Sequence, residues 1–260
     1  MMSGSIKPKT PEQVEAMAAS GRVLAGALDK IEVAVSPGVT TGELDAIAES
    51  FIRDHGGIPS FQGVRAADPG VKPFPGAICA SINDAIVHGI PGSAVLREGD
   101  IISLDCGVIL DGWHSDSART LAVGEIDPDA SRLLDVTRAA LAEAIRASVA
   151  GGHIGDIGAA VQKLVEEAGL TIVRRFVGHG IGRTMHESPQ VPNFGRPGGG
   201  PELIPGTTLA IEPMVNIGSA GVVFDTDGWT ARTDDGSLSA HFEHTVAITH
   251  AGPRVLTEAV

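Results

Sequence analysis

The stretch IISLDCGVILDGWHSDSART, Ile101 to Thr120, decides how this chain is read. Asp111-Gly112 separates two β-rich runs, and Asp-Gly between such runs is the strongest short-range hairpin signal. With those two residues as the turn, Leu110 faces Trp113, Asp105 faces Ala118, and Asp116 falls two residues along the partner strand. An even offset keeps both carboxylates on one face, where diagonal neighbours are about 7–8 Å apart at the backbone and their side chains can converge. Two bare carboxylates repel there, so a positive group belongs between them, and hard oxygen ligands suit a divalent cation. The hairpin alone leaves a plainer alternative open, with Asp105 capping a turn or pairing with an arginine and Asp116 solvated.

Composition narrows the classes. Lysine and arginine total 19 against 32 acidic residues, a formal charge of −13. That balance argues against reading nucleic acid or an anionic membrane, and no basic stripe offsets it. Cys79 and Cys106 are the only cysteines and form no Cys-x-x-Cys motif, which fits a reducing cytoplasm. The start MMSGSIKPKTPEQ has no apolar core of signal-peptide length, and no later run reaches the length of a membrane span. A soluble, cytoplasmic protein is expected.

Outward from the hairpin, helices precede strands twice. Thr10-Pro11-Glu12-Gln13 reads as a capped helix start, followed by Val14, Met17, Leu24 and Leu28 at helical spacing. Thr40 to Glu43 repeats the cap before a second helix ending near Gly56. Residues 57–76 read as a long loop, and Ala77 to Asn83 as a short strand. Asp127-Pro128 opens a third helix closed by Gly151-Gly152, and a fourth runs from about Gly155 to Gly169. The join VSPGVTTGELDAIA echoes VAGGHIGDIGAAV, with Gly42, Glu43 and Leu44 on Gly155, Asp156 and Ile157. Two helix-break-helix units followed by strands predict a duplicated α+β core. Leu170 to Phe176 reads as a strand, and Pro189 to Gly206 as a loop. Thr208 to Ile217 is a strand interrupted at Pro213, and 239–248 is a single last strand. Residues 1–10 are expected to be a tail, and 11–260 one domain.

Four further polar residues need explaining. His179 lies among glycines that let backbone approach a site, and is expected in a loop. His186 is too far along for the helical His-Glu-x-x-His arrangement, so mononuclear zincin chemistry is unsupported. Glu212 in LAIEPMV and Glu243 in HFEHTV are acids within apolar strands. Each must be neutralised, paired or metal-bound. With Asp105 and Asp116 they make four carboxylates and one imidazole, a set suited to two metals better than to four separate ion pairs. A two-histidine, one-carboxylate iron oxygenase does not fit, because only one histidine sits where a ligand is expected.

The segments AICASINDAIVHGIPG, DIISLDCGVILDGWHSDSART, GHGIGRTMHESPQVPNFGRPG, LAIEPMV and SAHFEHTVAIT together resemble the bacterial type I methionine aminopeptidases over nearly the whole chain. The resemblance implies the pita-bread α+β fold, with pseudo-two-fold duplicated helix-helix-strand units around a central antiparallel sheet. It places metal ligands on Asp105, Asp116, His179, Glu212 and Glu243, and substrate-contacting histidines on His88 and His186. Two divalent cations, from among cobalt, manganese, iron(II) and zinc, would supply a hydroxide. Glu212 would carry its proton to the leaving amine, with His186 and His88 hydrogen-bonding the reacting peptide. The implied activity is removal of the initiator methionine from nascent chains whose second residue is small, often near the ribosomal exit, by a monomer.

The chain departs from the family in the side-chain pocket. It has no tyrosine, and GVRAADPGVKPFPGAIC replaces a Tyr-x-Gly-Tyr-Pro-like run. Phe74, Cys79, Met185 and Trp229 are the expected walls, apolar and polarizable enough for a thioether. Met185 and Trp229 could equally be core. The rival readings are an Xaa-Pro peptidase on the same fold and a pita-bread protein that binds peptides without cutting. The first usually carries an additional N-terminal domain, and lost ligands would mark the second.

Overall fold

The computed structural model describes residues 6–258; the part of the expected tail that covers residues 1–5 lies outside them. Helices α1 (Pro11–Ala34) and α2 (Thr41–Asp54) precede strands β1 (Ile58–Pro59), β2 (Ile78–Ile82), β3 (Ala85–Val87), β4 (Ile101–Leu110) and β5 (Trp113–Ala122). Helices α3 (Pro128–Ala147) and α4 (Ile154–Glu167) precede β6 (Thr171–Ile172), β7 (Gly178–Gly180), β8 (Glu187–Val191), β9 (Thr208–Ile211) and β10 (Met214–Asn216). Strands β11 (Val222–Phe224), β12 (Ala231–Thr233), β13 (Ser239–His241), β14 (Glu243–Thr249) and β15 (Gly252–Val255) complete the order.

The hairpin register is the one that the Asp-Gly turn demands. Leu110 pairs with Trp113, Asp105 with Ala118 and Gly107 with Asp116. Asp111 and Gly112 both have positive φ, 50° and 75°, as a two-residue turn matched to the twist of its strands requires. Around this hairpin runs an antiparallel sheet in the order β1-β4-β5-β14-β9-β7-β8, with β2 on β4 and β15 on β14.

Each helix pair covers its own half. The core of α1 and α2 includes Leu24, Leu28, Leu44 and Ile52 with Ile78, Leu104 and Val108 of the sheet. The core of α3 and α4 includes Leu133, Leu141, Ile157 and Val161 with Leu209, Ile211 and Val246. Capping boxes start both helices of the first pair, through Thr10 with Gln13 and Thr40 with Glu43. The duplication is visible at the second helix of each pair. Thr40 and His153, the two N-cap residues, each form a bridge to a following segment, at Val95 and Glu202. One turn in, the amides of Gly42 and Gly155 donate to the carbonyls of Gly92 and Gly199, both at 2.8 Å. A Cβ would obstruct each approach, lying 2.9 Å from the Gly92 oxygen or 2.2 Å from that of Arg196.

Four expectations are corrected. His179 is in strand β7 rather than a loop, and Pro189 belongs to β8 rather than to the following loop. The strand expected at Leu170 to Phe176 shrinks to Thr171–Ile172. The last strand is two, because the chain changes sheets at Phe242, leaving β13 on β10 and β14 between β5 and β9. Alternation continues through the change, so periodicity cannot reveal it.

Helix α1 seats on the hairpin through Ser20, whose hydroxyl donates to the Val108 carbonyl at 3.0 Å and lies 2.9 Å from the Ser115 hydroxyl. Beside it, a Cβ on Gly21 would sit 1.9 Å from the Leu256 carbonyl oxygen, a backbone atom that cannot turn aside. Gly21→Ala should therefore lose about 1–3 kcal/mol in urea unfolding, although alanine gains about 1 kcal/mol of helix propensity.

Candidate metal centre

Five adjacent strands each bring one acid or imidazole to the same face. Along β4-β5-β14-β9-β7 these are Asp105, Asp116, Glu243, Glu212 directly after β9, and His179. Register aligns them in two rows. Cys79 faces Asp105, and Asp105 and Glu243 lie on either side of Ala118. In the next row Gly107 faces Asp116, while Thr245 and His179 both face Ala210. The Asp116 amide donates to the Thr245 hydroxyl at 2.9 Å, which in turn donates to the Asp116 carbonyl at 2.8 Å. Residues two apart on a strand share a face, so both rows converge.

His179 Nε2 lies 3.8 Å from Asp116 Oδ2 and 3.7 Å from Glu212 Oε1. Its Nδ1 is 2.9 Å from the Gly180 carbonyl, which can only accept, so the proton sits on Nδ1 and the Nε2 lone pair faces the acids. The flanking glycines are obligatory, since a Cβ would meet the Ala210 oxygen at 2.4 Å from Gly178 and the Ser188 oxygen at 2.3 Å from Gly180. One ligand atom each from Asp116, His179 and Glu243 falls within 4.8 Å of the others.

These acids are not neutralised by the protein itself. Asp105 Oδ1, Asp116 Oδ1 and Glu243 Oε1 are buried without a hydrogen-bond partner among the described residues. Burial holds the Asp105 carboxyl up at about 7. Burial, followed by negative neighbours, raises Asp116, Glu212 and Glu243 well above the ordinary carboxylate range. Burial also lowers His179 to about 3, keeping its imidazole neutral. Oxygen donors crowded around one neutral imidazole, with unpartnered lone pairs, fit divalent cations. The sequence reading missed His241, whose Nε2 is buried without a partner among the described residues and 3.7 Å from both Glu212 Oε2 and Glu243 Oε2. Its signal was its place beside Glu243 in the alternating set.

The acids floor a cavity of about 520 Å³. Every expected pocket residue lines it: Phe74, Cys79, Met185 and Trp229, with His88 and His186 at the acids' side. Met185 also packs on the core around Trp113 and Ile181, so it is wall and core at once. Phe61 and Val64, within the segment read only as loop, are further walls. Gly107 leaves room for Met185 and Phe61, because a Cβ would lie 2.8 Å from Met185 Cε and 3.0 Å from the Phe61 ring. Trp229 donates from Nε1 to the Lys72 carbonyl at 2.9 Å and meets Phe74 edge-on at 5.2 Å. His88 has φ 62°, a left-handed conformation that costs a non-glycine residue and recurs at functional sites. Burial lowers it to about 4, and lowers His186 as well. The His179 and His186 rings are 4.4 Å apart.

The chain matches the metallopeptidase family M24 over residues 15–250. It is 48% identical over 249 residues to a protein of Clostridium perfringens named methionine aminopeptidase, covering 96% of this chain and 97% of that one. The crystal structure of methionine aminopeptidase from Thermotoga maritima superposes with a TM-score of 0.93 at 41% identity, covering 98% and 100% of the two chains. The prolidase of Pyrococcus furiosus shares the fold, with a TM-score of 0.76, at 20% identity, over 97% of this chain and 66% of that one. By the extent of the match, this chain belongs to metallopeptidase family M24.

Proposed function

We infer that this chain is a metal-dependent aminopeptidase that removes the N-terminal methionine from polypeptides. The observation that carries the reading is the floor of the cavity, four carboxylates, buried at Asp116 and Glu243 and half-buried at Asp105 and Glu212, and one imidazole, with no lysine or arginine in the lining. Likeness to proteins named methionine aminopeptidase over nearly full length supports the substrate. The prolidase likeness concerns the fold alone, which does not fix a substrate. A non-cutting peptide binder has no need of five ligand-type side chains held unneutralised.

Asp105, Asp116, His179, Glu212 and Glu243 are the residues that would hold the two cations. Bound there, divalent cations polarise a carbonyl and acidify water near neutral pH. Glu212 has one oxygen 3.7 Å from His179 Nε2 and the other 3.7 Å from His241 Nε2, and it lines the cavity beside His88 and His186. That makes it the group to take a proton from the attacking water and deliver it to the leaving amine. His88 and His186, both shifted toward the neutral form, are suited to hydrogen-bond the peptide oxygen or nitrogen. Phe61, Val64, Phe74, Cys79, Met185 and Trp229 enclose the methionine side chain. Residues 11–260 act as a single catalytic domain. The resemblance supports nascent chains with a small second residue as substrates, work near the ribosome in the cytoplasm, and a monomer. No described helix is long and apolar enough to cross a membrane.

Metal-stripped protein given manganese or cobalt should release methionine from a Met-Ala-Ser peptide and leave Ala-Pro-Ser intact, followed by mass spectrometry. Glu212→Gln should slow release by about 10²-fold or more; an unaffected rate removes Glu212 from proton transfer. His241 Nε2 lies 3.7 Å from two of the ligand carboxylates, those of Glu212 and Glu243, so His241→Ala should weaken metal binding by about 10–100-fold in chelator competition while retaining the circular dichroism of the fold.

The raised carboxyl groups also make the metal-free chain sensitive to pH. Folded, Asp105 keeps its proton to about 7 and Asp116, Glu212 and Glu243 keep theirs above the ordinary range, whereas unfolded carboxyls lose theirs near pH ~4. The lowered histidines act in the opposite sense, but only below about 6.5, where an unfolded imidazole gains its proton. Between that value and about 8, below the range where an unfolded thiol ionises, the carboxyls act alone; at higher pH the buried Cys79 and Cys106 thiols, raised by burial, add to the same trend. Metal-free stability should fall with rising pH by about 1.4 kcal/mol per unit for each proton still retained. Excess manganese should abolish the slope in thermal melts and release protons in calorimetry.

A further inference from the structure

A second cavity of about 570 Å³ opens beside the first, and Thr184 and His186 line both. Its remaining charged residues are Lys7, Lys9, Arg183 and Glu187. Glu187 is already spent within the protein: Oε2 accepts from Lys9 Nζ at 2.6 Å, and Oε1 accepts from the amides of Arg183 and Thr184 at 2.9 and 3.3 Å. Lys9 is neutralised by the same contact. Lys7 and Arg183 then remain, both exposed and neither ion-paired among the described residues. The Arg183 guanidinium is held in place, 3.9 Å above the Trp113 ring and donating to the Asp111 carbonyl at 3.0 Å.

A chain of net charge −13 thus presents two unpaired cations in the concavity that continues from its acid-floored cavity. Concave walls focus such a field. We propose that this second cavity receives the third and following residues of the polypeptide substrate and favours acidic side chains there. The proposal rests on the aminopeptidase reading, because that reading requires a chain to leave the first cavity past His186. Lys7 and Arg183 act on substrate preference, and the bond-breaking groups lie elsewhere.

The test compares the C-terminally amidated peptides Met-Ala-Ser, Met-Ala-Ser-Asp-Glu-Asp and Met-Ala-Ser-Lys-Arg-Lys as substrates of the metal-loaded enzyme, so that no terminal carboxylate enters the second cavity. The acidic hexapeptide should have a kcat/KM about three- to tenfold above the basic one, the range given by one or two partly exposed ion pairs. High salt should erase the difference. Lys7→Glu with Arg183→Glu should reverse it and leave Met-Ala-Ser unchanged, and Lys7→Glu alone should reduce it. Equal cutting of both hexapeptides by the wild type, or an equal loss on all three peptides in the double variant, overturns the proposal. Fluorescence anisotropy of labelled hexapeptides on metal-free protein reads the cavity independently. If methionine is never released but the acidic peptide binds more tightly and the double variant abolishes that, the aminopeptidase reading fails and the cavity's preference stands. If neither peptide is favoured in binding, the proposal fails whatever the activity.

Discussion

Like-charged carboxylates gathered on one buried face set the terms for the rest of this structure. Removing even one ionised carboxyl from water is costly unless it is paired, and a second beside it adds repulsion. The chain supplies no lysine or arginine to offset Asp105, Asp116, Glu212 and Glu243. It must therefore keep protons on them or hold cations between them, and the raised proton affinities express the first option. What makes the cluster tolerable is a scaffold too firm to let the acids separate. Two helix pairs with separate cores clamp the sheet, and the Thr245 hydroxyl fixes the backbone of Asp116 from the neighbouring strand.

Antiparallel register is how one chain brings five donors together without a local motif. Each donor comes from a different strand, and their sequence separations reflect connections that pass through helices and loops. A single residue of slippage would turn a donor to the opposite face. The turn that sets β4 against β5 is consequently part of the site, as are Gly178 and Gly180, which admit neighbouring backbone to bring His179 alongside Ala210.

Local chemistry made much of this legible in the sequence. Asp111-Gly112 determined which residue faces which, and threonine caps located the first helix pair to within a residue or two. Duplication was readable because the same steric demand recurs at Gly42 and Gly155, where backbone crosses a helix start. Nonlocal pairing was not legible. Glycines that read as loop at His179 are strand residues whose missing side chains make space, and the sheet change at Phe242 leaves the alternation undisturbed. His241 was visible as a partner of Glu243 in that alternation, yet its reach to Glu212 depends on β9 lying beside β14. The five donors were gathered into one set by the cost of burying acids in apolar strands, with ion pairs left as the alternative for each, and the resemblance then assigned them as ligands.

The side-chain pocket follows a different logic from the floor. Its walls come largely from loops, and they hold one another as much as they rest on the sheet: Trp229 touches Phe74 and bonds the Lys72 carbonyl, and Gly228 is so close to Val71 that a Cβ would lie 2.4 Å away. The absence of tyrosine is intelligible here. A buried phenol needs a hydrogen-bond partner, whereas Phe61, Val64 and Phe74 need only contact. Segment 65–73 adds length between Val64 and Phe74 but folds back so that both side chains still line one cavity, the Phe74 amide donating to the Val64 carbonyl at 2.8 Å. The floor is therefore fixed by strand register and the walls by loop-to-loop contacts. A chain can rebuild its loops extensively without moving the acids on the cavity floor.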